Sequence, residues 1–176
     1  MAATHANGVD RAQTLGEEVA NAVTHGLGAL LAVAALPLLV WQAQRQGSAA
    51  DIVAASVFGA TLVLLYATSA LYHALPAGAA KRWFNRLDHA AIYLLIAGSY
   101  TPFTLGVLKG PWGWTLFGIV WGAAALGVTI KLMNRLRHPW LSTGLYVAMG
   151  WVAVVAAGPL VERLPLAGLA WLVAGG

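Results

Sequence analysis

Charged residues stand far apart in this sequence, and the stretches between them are almost wholly apolar. Val19 to Gln44, Ile52 to Ala80, His89 to Leu108, Gly110 to Ile130 and His138 to Val161 contain no Asp, Glu, Lys or Arg. A helix crosses a ~30 Å bilayer core in about 20 apolar residues, so each stretch predicts one spanning helix. Backbone groups in lipid must find partners within the protein, which leaves helices or closed barrels. A barrel would show runs of about ten alternating residues, and nothing here alternates. A sixth apolar run, Leu164 to Gly176, has thirteen residues. At about 1.5 Å per residue it reaches roughly 20 Å, short of a full crossing. The pattern predicts an all-α, polytopic transmembrane helix bundle with five complete spans and a partial sixth. Residues 1–17 read as a cytosolic tail and residues 18–176 as the transmembrane domain. A free carboxylate within the bilayer is costly, so the sixth run reads as part of a longer bundle. The tail has no basic segment leading into a short apolar run and cleavage site, so it reads as retained and not as a signal peptide.

Composition narrows the function. Of 176 residues, 60% are apolar and 9% charged, with a mean hydropathy of +0.73. Soluble domains are about half apolar and a quarter charged, so a soluble enzyme or scaffold is excluded. The net charge is +4, but the basic residues are scattered between apolar blocks and do not line one face. The expected partner is therefore membrane lipid and not nucleic acid. The absence of Cys removes disulfides, thiolate nucleophiles and cysteine-type zinc sites together.

Orientation follows from the basic residues. Arg11, Lys81, Arg82, Arg86, Lys131, Arg135 and Arg137 fall on the side of the tail, and Arg45, Lys109 and Arg163 on the other. The positive-inside rule then places the N-terminus in the cytosol of a bacterial inner-membrane type of protein. Trp41, Trp83, Trp112, Trp114 and Trp140 lie at span ends, where indoles favour the headgroup region. Gly118 and Gly122, four apart in span four, offer a close helix contact. Thr101-Pro102 in span three reads as a kink, with a threonine or a neighbouring helix satisfying the freed carbonyl.

The polar residues inside the spans carry the functional signal. Glu17, Asn21 and His25 are four apart and share one face of span one; Ser69 and His73 do the same at the end of span two. Span three opens with Asp88 and His89. By the topology above, all of these lie at one depth in one leaflet. Each has a plain reading taken singly. Asp88 suits a helix N-cap, Glu17 and Glu18 complement a helix dipole, a lone His suits a packing role, and His89 suits the headgroup region. Together they fit a metal site, a proton relay or a headgroup pocket, because ionisable residues inside a bundle mark sites or pathways. Zinc favours His nitrogen and carboxylate oxygen, and an Asp beside a bound water could take its proton.

Three blocks carry a family resemblance: Glu17-Glu18-x-x-Asn21-x-x-Thr24-His25-Gly26; Ser69-x-x-x-His73; and Arg86-Leu87-Asp88-His89-x-x-Ile92-Tyr93-x-x-Ile96-Ala97-Gly98-Ser99-Tyr100-Thr101-Pro102. They resemble the hemolysin III family, the bacterial branch of the superfamily of adiponectin and progestin receptors. The resemblance implies seven helices with the N-terminus inside, and a zinc held by a His of helix two and an H-x-x-x-H motif of helix seven. On that pattern His73 is the metal ligand, while Ser69 and Asp88 are the catalytic candidates beside it. Glu17, Asn21 and His25 complete the polar cluster, His25 lying outside the usual ligand set. The sequence holds no H-x-x-x-H, so two of the implied ligands are absent from it. Three functions follow as expectations. The first is a pore-forming or channel-type cytolysin, on resemblance alone, since no span carries a polar stripe wide enough to line a pore. The alternatives are a zinc-dependent intramembrane hydrolase of lipid amides or esters, and a non-catalytic regulator of membrane lipid state.

Overall fold

The computed structural model describes residues 13–133 and 139–175. Arg11, Arg135, Arg137 and His138, which entered the charge count or a span boundary above, lie outside the described residues. Every described element is helical: α1 Leu15–Gln46, α2 Ala49–Ala74, α3 Ala79–Thr101, a π-helical segment Pro102–Leu108, α4 Gly110–Leu132, α5 Pro139–Val155, α6 Ala157–Arg163 and α7 Leu166–Gly175. Among the described residues four helices are long and apolar enough to cross a membrane, and α5 with α6 forms a fifth candidate bent by 53°. The chain is thus an all-helical, polytopic membrane bundle.

Local chemistry sets the ends. Thr14 opens α1 with a capping box, its hydroxyl accepting from the Glu17 N–H while the Glu17 carboxylate accepts from the Thr14 N–H. Helix α2 stops at Ala74, before Ala80 where the uncharged stretch ends, because Pro76 drives Leu75 into extended backbone. Helix α3 starts at Ala79, nine residues before Asp88. Asp88 is therefore an interior helical residue and not an N-cap. The charged run Lys81 to Arg86 limits the apolar zone, but it consists of residues a helix accepts readily.

Short connections make successive helices antiparallel neighbours, and α1–α2, α2–α3 and α3–α4 are the main packed pairs. The start of α1, the end of α2 and the start of α3 therefore share one end of the bundle. Tyr93, Ala97, Val120, Ala124 and Met149 form the core between α3, α4 and α5. Glycines seat the close approaches. A Cβ on Gly98 would strike the Thr61 side chain, and one on Gly113 the main-chain carbonyl of Thr104. Gly118 and Gly122, by contrast, have nothing within 4 Å, so the expected contact of that pair is not made among the described residues.

At the Thr101-Pro102 step α3 passes into the π segment, and Ala79–Leu108 runs on as one helix of span length. Thr104 donates its hydroxyl to the carbonyls of Tyr100 and Thr101, and the indole N–H of Trp121 donates to Thr101 Oγ1 at 3.1 Å. The expected span from His138 to Val161 is interrupted at Ala156. Pro159 accounts for it: lacking an N–H, it leaves the Val155 carbonyl four residues back without its helical donor. Lys109, between the π segment and α4, has φ 39 and ψ 157, a region that suits glycine and strains other residues by about 1–3 kcal/mol. Lys109→Gly should therefore stabilise the detergent-solubilised protein by about 1 kcal/mol, read as a raised melting temperature. An unchanged or lower value would show that the Lys109 side chain contributes more than its backbone costs.

Candidate functional site

The polar residues of α1 and α2 meet where the antiparallel pair brings their faces together. Among the described residues two side-chain hydrogen bonds link the helices. Nearer the chain end, His73 Nδ1 lies 2.7 Å from Glu18 Oε2. Deeper in, His25 Nδ1 lies 2.6 Å from Ser69 Oγ. Glu18 and His25 are seven residues apart, two helical turns, and so face the same way. The two imidazoles approach edge to face, with ring centroids 5.7 Å apart, and Tyr66 packs 5.9 Å from His25. Ser69 and His73 are buried; Glu18 is partly covered.

Lys81 of α3 completes the centre. Its ammonium lies 3.0 Å from Glu18 Oε1 and donates to the carbonyls of Tyr72 and Leu75, each at 3.1 Å. These three acceptors match the three N–H donors of an ammonium, and the two carbonyls belong to the end of α2, where the helix dipole favours a cation. The same nitrogen stands 4.9 Å from the centre of the Tyr72 ring. Glu18 thus joins three helices through one carboxylate.

The structure divides the residues singled out in the sequence. Ser69, His73 and His25 come together. Glu17 does not join them, because as the third residue of α1 it is drawn back to Thr14. Asn21 reaches Gln13 at 3.4 Å. Glu18, one position on, takes the place expected of Glu17. Asp88 also stands apart. Its carboxylate is 3.7 Å from His89 Nδ1, and its other electrostatic neighbours are Lys131 and Tyr146 on α4 and α5. Among the described residues no Lys or Arg nitrogen comes within 4 Å of it. Tyr146 donates to the His89 carbonyl at 2.9 Å, and His89, half-exposed, holds the Asn85 carbonyl at 2.7 Å. The seven-residue spacing of Glu18 and His25 was a usable signal for the first of these partners. Nothing in the pattern of Lys81, in a charged connection, marked it as a member.

This arrangement has definite chemical capacities. An ionised Glu18 makes Nδ1 the donor of His73, which leaves Nε2 as the lone-pair nitrogen, the orientation in which a second carboxylate holds a metal-binding His. The His25–Ser69 distance is that of a hydroxyl sharing its proton with an imidazole. A complete zinc site does not follow. Among the described residues no three His, Asp or Glu side chains gather so that they could hold a metal, and His73 alone is one ligand where zinc takes three or four.

Residues 13–176 match a family model described as haemolysin-III related. The chain is similar to "Hemolysin-3" of Bacillus cereus, 46% identical over 93% of this chain and 75% of that protein. It is also similar to "Hemolysin-3 homolog" of Bacillus subtilis (strain 168), 46% identical over 93% of this chain and 76% of that protein. No solved structure matches it significantly. The matched segment contains every residue of the polar centre, and the helices that carry it have the length and apolarity of membrane spans; the chain belongs to the haemolysin-III-related family of multi-pass membrane proteins.

Proposed function

We propose that the chain is a multi-pass protein of a bacterial inner membrane, N-terminus in the cytosol, that permeabilises lipid bilayers as the name of its hemolysin-3 relatives describes. The observation that carries this reading is the 46% identity spread over 93% of the chain. The polar centre supports it, since buried ionisable groups at one depth are costly in lipid and are kept where they serve a site or a path. The basic residues favour the orientation, and membrane lipid is the partner. Reconstituted in dye-loaded liposomes, the parent chain should release dye whether or not a chelator is present. His73→Ala should lose most of that release. Full retention of dye by liposomes holding folded parent protein would sink this reading.

A second reading has one specific observation in its favour, the Glu18 carboxylate on His73 Nδ1. It is an intramembrane hydrolase of lipid amides or esters that works with zinc. His73 would be one ligand, with Ser69 beside it; the remaining ligands are not among the described residues, so no catalytic step is assigned. Release of fatty acid from the liposome lipid, abolished by chelator, would favour the hydrolase over the permeabiliser.

A further inference from the structure

The bend between α5 and α6 is fastened on both sides by a single neighbouring element. On the α5 side, the Tyr100 hydroxyl accepts from the Ala153 N–H at 2.7 Å. It also lies 2.9 Å from the Met149 carbonyl and 2.6 Å from that of Gly150. Ala153 and Met149 are four residues apart, the pair that an α-helix joins directly. A side chain at that position is one of the few established causes of a helix kink. On the α6 side, the Arg163 guanidinium donates to the carbonyl of Leu108, the last residue of the π segment. Tyr100 and Leu108 thus place both fastenings on the element that runs from α3 through its π-helical end. Between them Leu108, Leu116 and Ala156 form a small buried cluster with Val152 and Leu160 packed against it.

Pro159 makes the joint weak by sequence alone, because it removes a helical hydrogen bond and excludes the carbonyl of Val155. What sets the angle is then the pair of side-chain fastenings. They differ in strength. Tyr100 makes neutral hydrogen bonds with the α5 main chain, each worth about 1 kcal/mol net. Arg163 supplies a charge-assisted bond to a carbonyl at a helix end, which is stronger. We infer that α5–α6 is a proline hinge whose closed angle is set by Tyr100 as pin and Arg163 as latch, so that release of Arg163 lets α6 swing away from the π segment. The inference holds whichever membrane activity the chain performs.

The chain has no Cys, so an introduced pair can be labelled cleanly. Nitroxides at Leu38→Cys on α1 and Val161→Cys on α6, both exposed positions, would be placed on the full chain in lipid nanodiscs. Pulsed electron resonance should give one narrow distance for the parent and for Arg163→Lys, which keeps a cationic donor. Arg163→Gln should add a second population or a clearly broadened one. Arg45→Gln is the control, since that guanidinium lies 4.7 Å over the Trp41 ring and not on the hinge. An unchanged distance in Arg163→Gln, or equal broadening in Arg45→Gln, would overturn the inference. Tyr100→Phe supplies a second test if Arg163→Gln does not reconstitute. It should speed amide exchange across residues 150–156 by about tenfold, as expected for a lost hydrogen bond, and leave α4 unchanged. Equal exchange there would also overturn it.

Discussion

Glu18→Gln should lower the stability of the reconstituted protein by about 2–3 kcal/mol, while Glu17→Gln should cost less than about 1 kcal/mol. The two residues are adjacent, and both open α1 with a negative charge. Their surroundings separate them. Among the described residues Glu18 is the anion beside Lys81 and His73, at 3.0 and 2.7 Å. An amide there retains one acceptor where two donors converge, and it turns an NH2 towards one of them. The Lys81 charge then stays among α2 carbonyls without its counter-ion, the configuration that makes a broken ion pair more costly than an absent one. The figure is reduced from that of a fully buried pair because both side chains keep some exposure to water. Glu17 accepts the capping bonds of Thr14, and Gln serves a capping box nearly as well. Thermal denaturation of both variants in the same lipid checks the claim. Equal losses would show that the two carboxylates act only through the helix dipole.

The second large effect is steric. Gly113→Ala should destabilise by about 3 kcal/mol, the upper range for overpacking, although alanine is the better helix former. Its Cβ would meet a main-chain carbonyl, that of Thr104, which cannot turn aside without unwinding the π segment. Gly98→Ala should cost somewhat less, since the obstacle there is the Thr61 side chain, which can rotate. Gly118→Ala and Gly122→Ala meet open space and should be neutral or stabilising by about 0.5–1 kcal/mol. Melting temperatures of the four variants would order them, and a costly Gly118 or Gly122 would mean that this face is covered in the membrane.

These contrasts show where a linear pattern stops being informative. Charges interrupt apolar runs wherever helices leave the membrane, so four of the five expected spans, and the fifth as a bent pair, were legible from hydropathy. Helix ends were not, because helix and membrane boundaries differ: α3 begins nine residues before Asp88 in a charged run that forms good helix. Pro159 broke the fifth span without altering its hydropathy, since the lost hydrogen bond leaves composition untouched. In the site, Ser69 and His73 were found because a single helix places residues four apart on one face. The choice between Glu17 and Glu18 depended on which face of α1 meets α2. Neighbouring residues point about 100° apart on a helix, and only packing decides between them. Asp88, too, pairs with its neighbour His89 at 3.7 Å and not with the cluster of His25 and His73.

The most direct test asks whether the α1 and α2 polar residues act as one centre. Dye release from liposomes would be measured for the parent, Glu18→Gln, His73→Asn and the double variant, each at matched protein and folded content. Residues in direct contact show coupling energies of about 0.5–3 kcal/mol. If Glu18 acts through His73 at 2.7 Å, the double variant should lose little more than His73→Asn alone. Losses that simply multiply would contradict a shared centre and leave Glu18 as a structural ion-pair partner of Lys81.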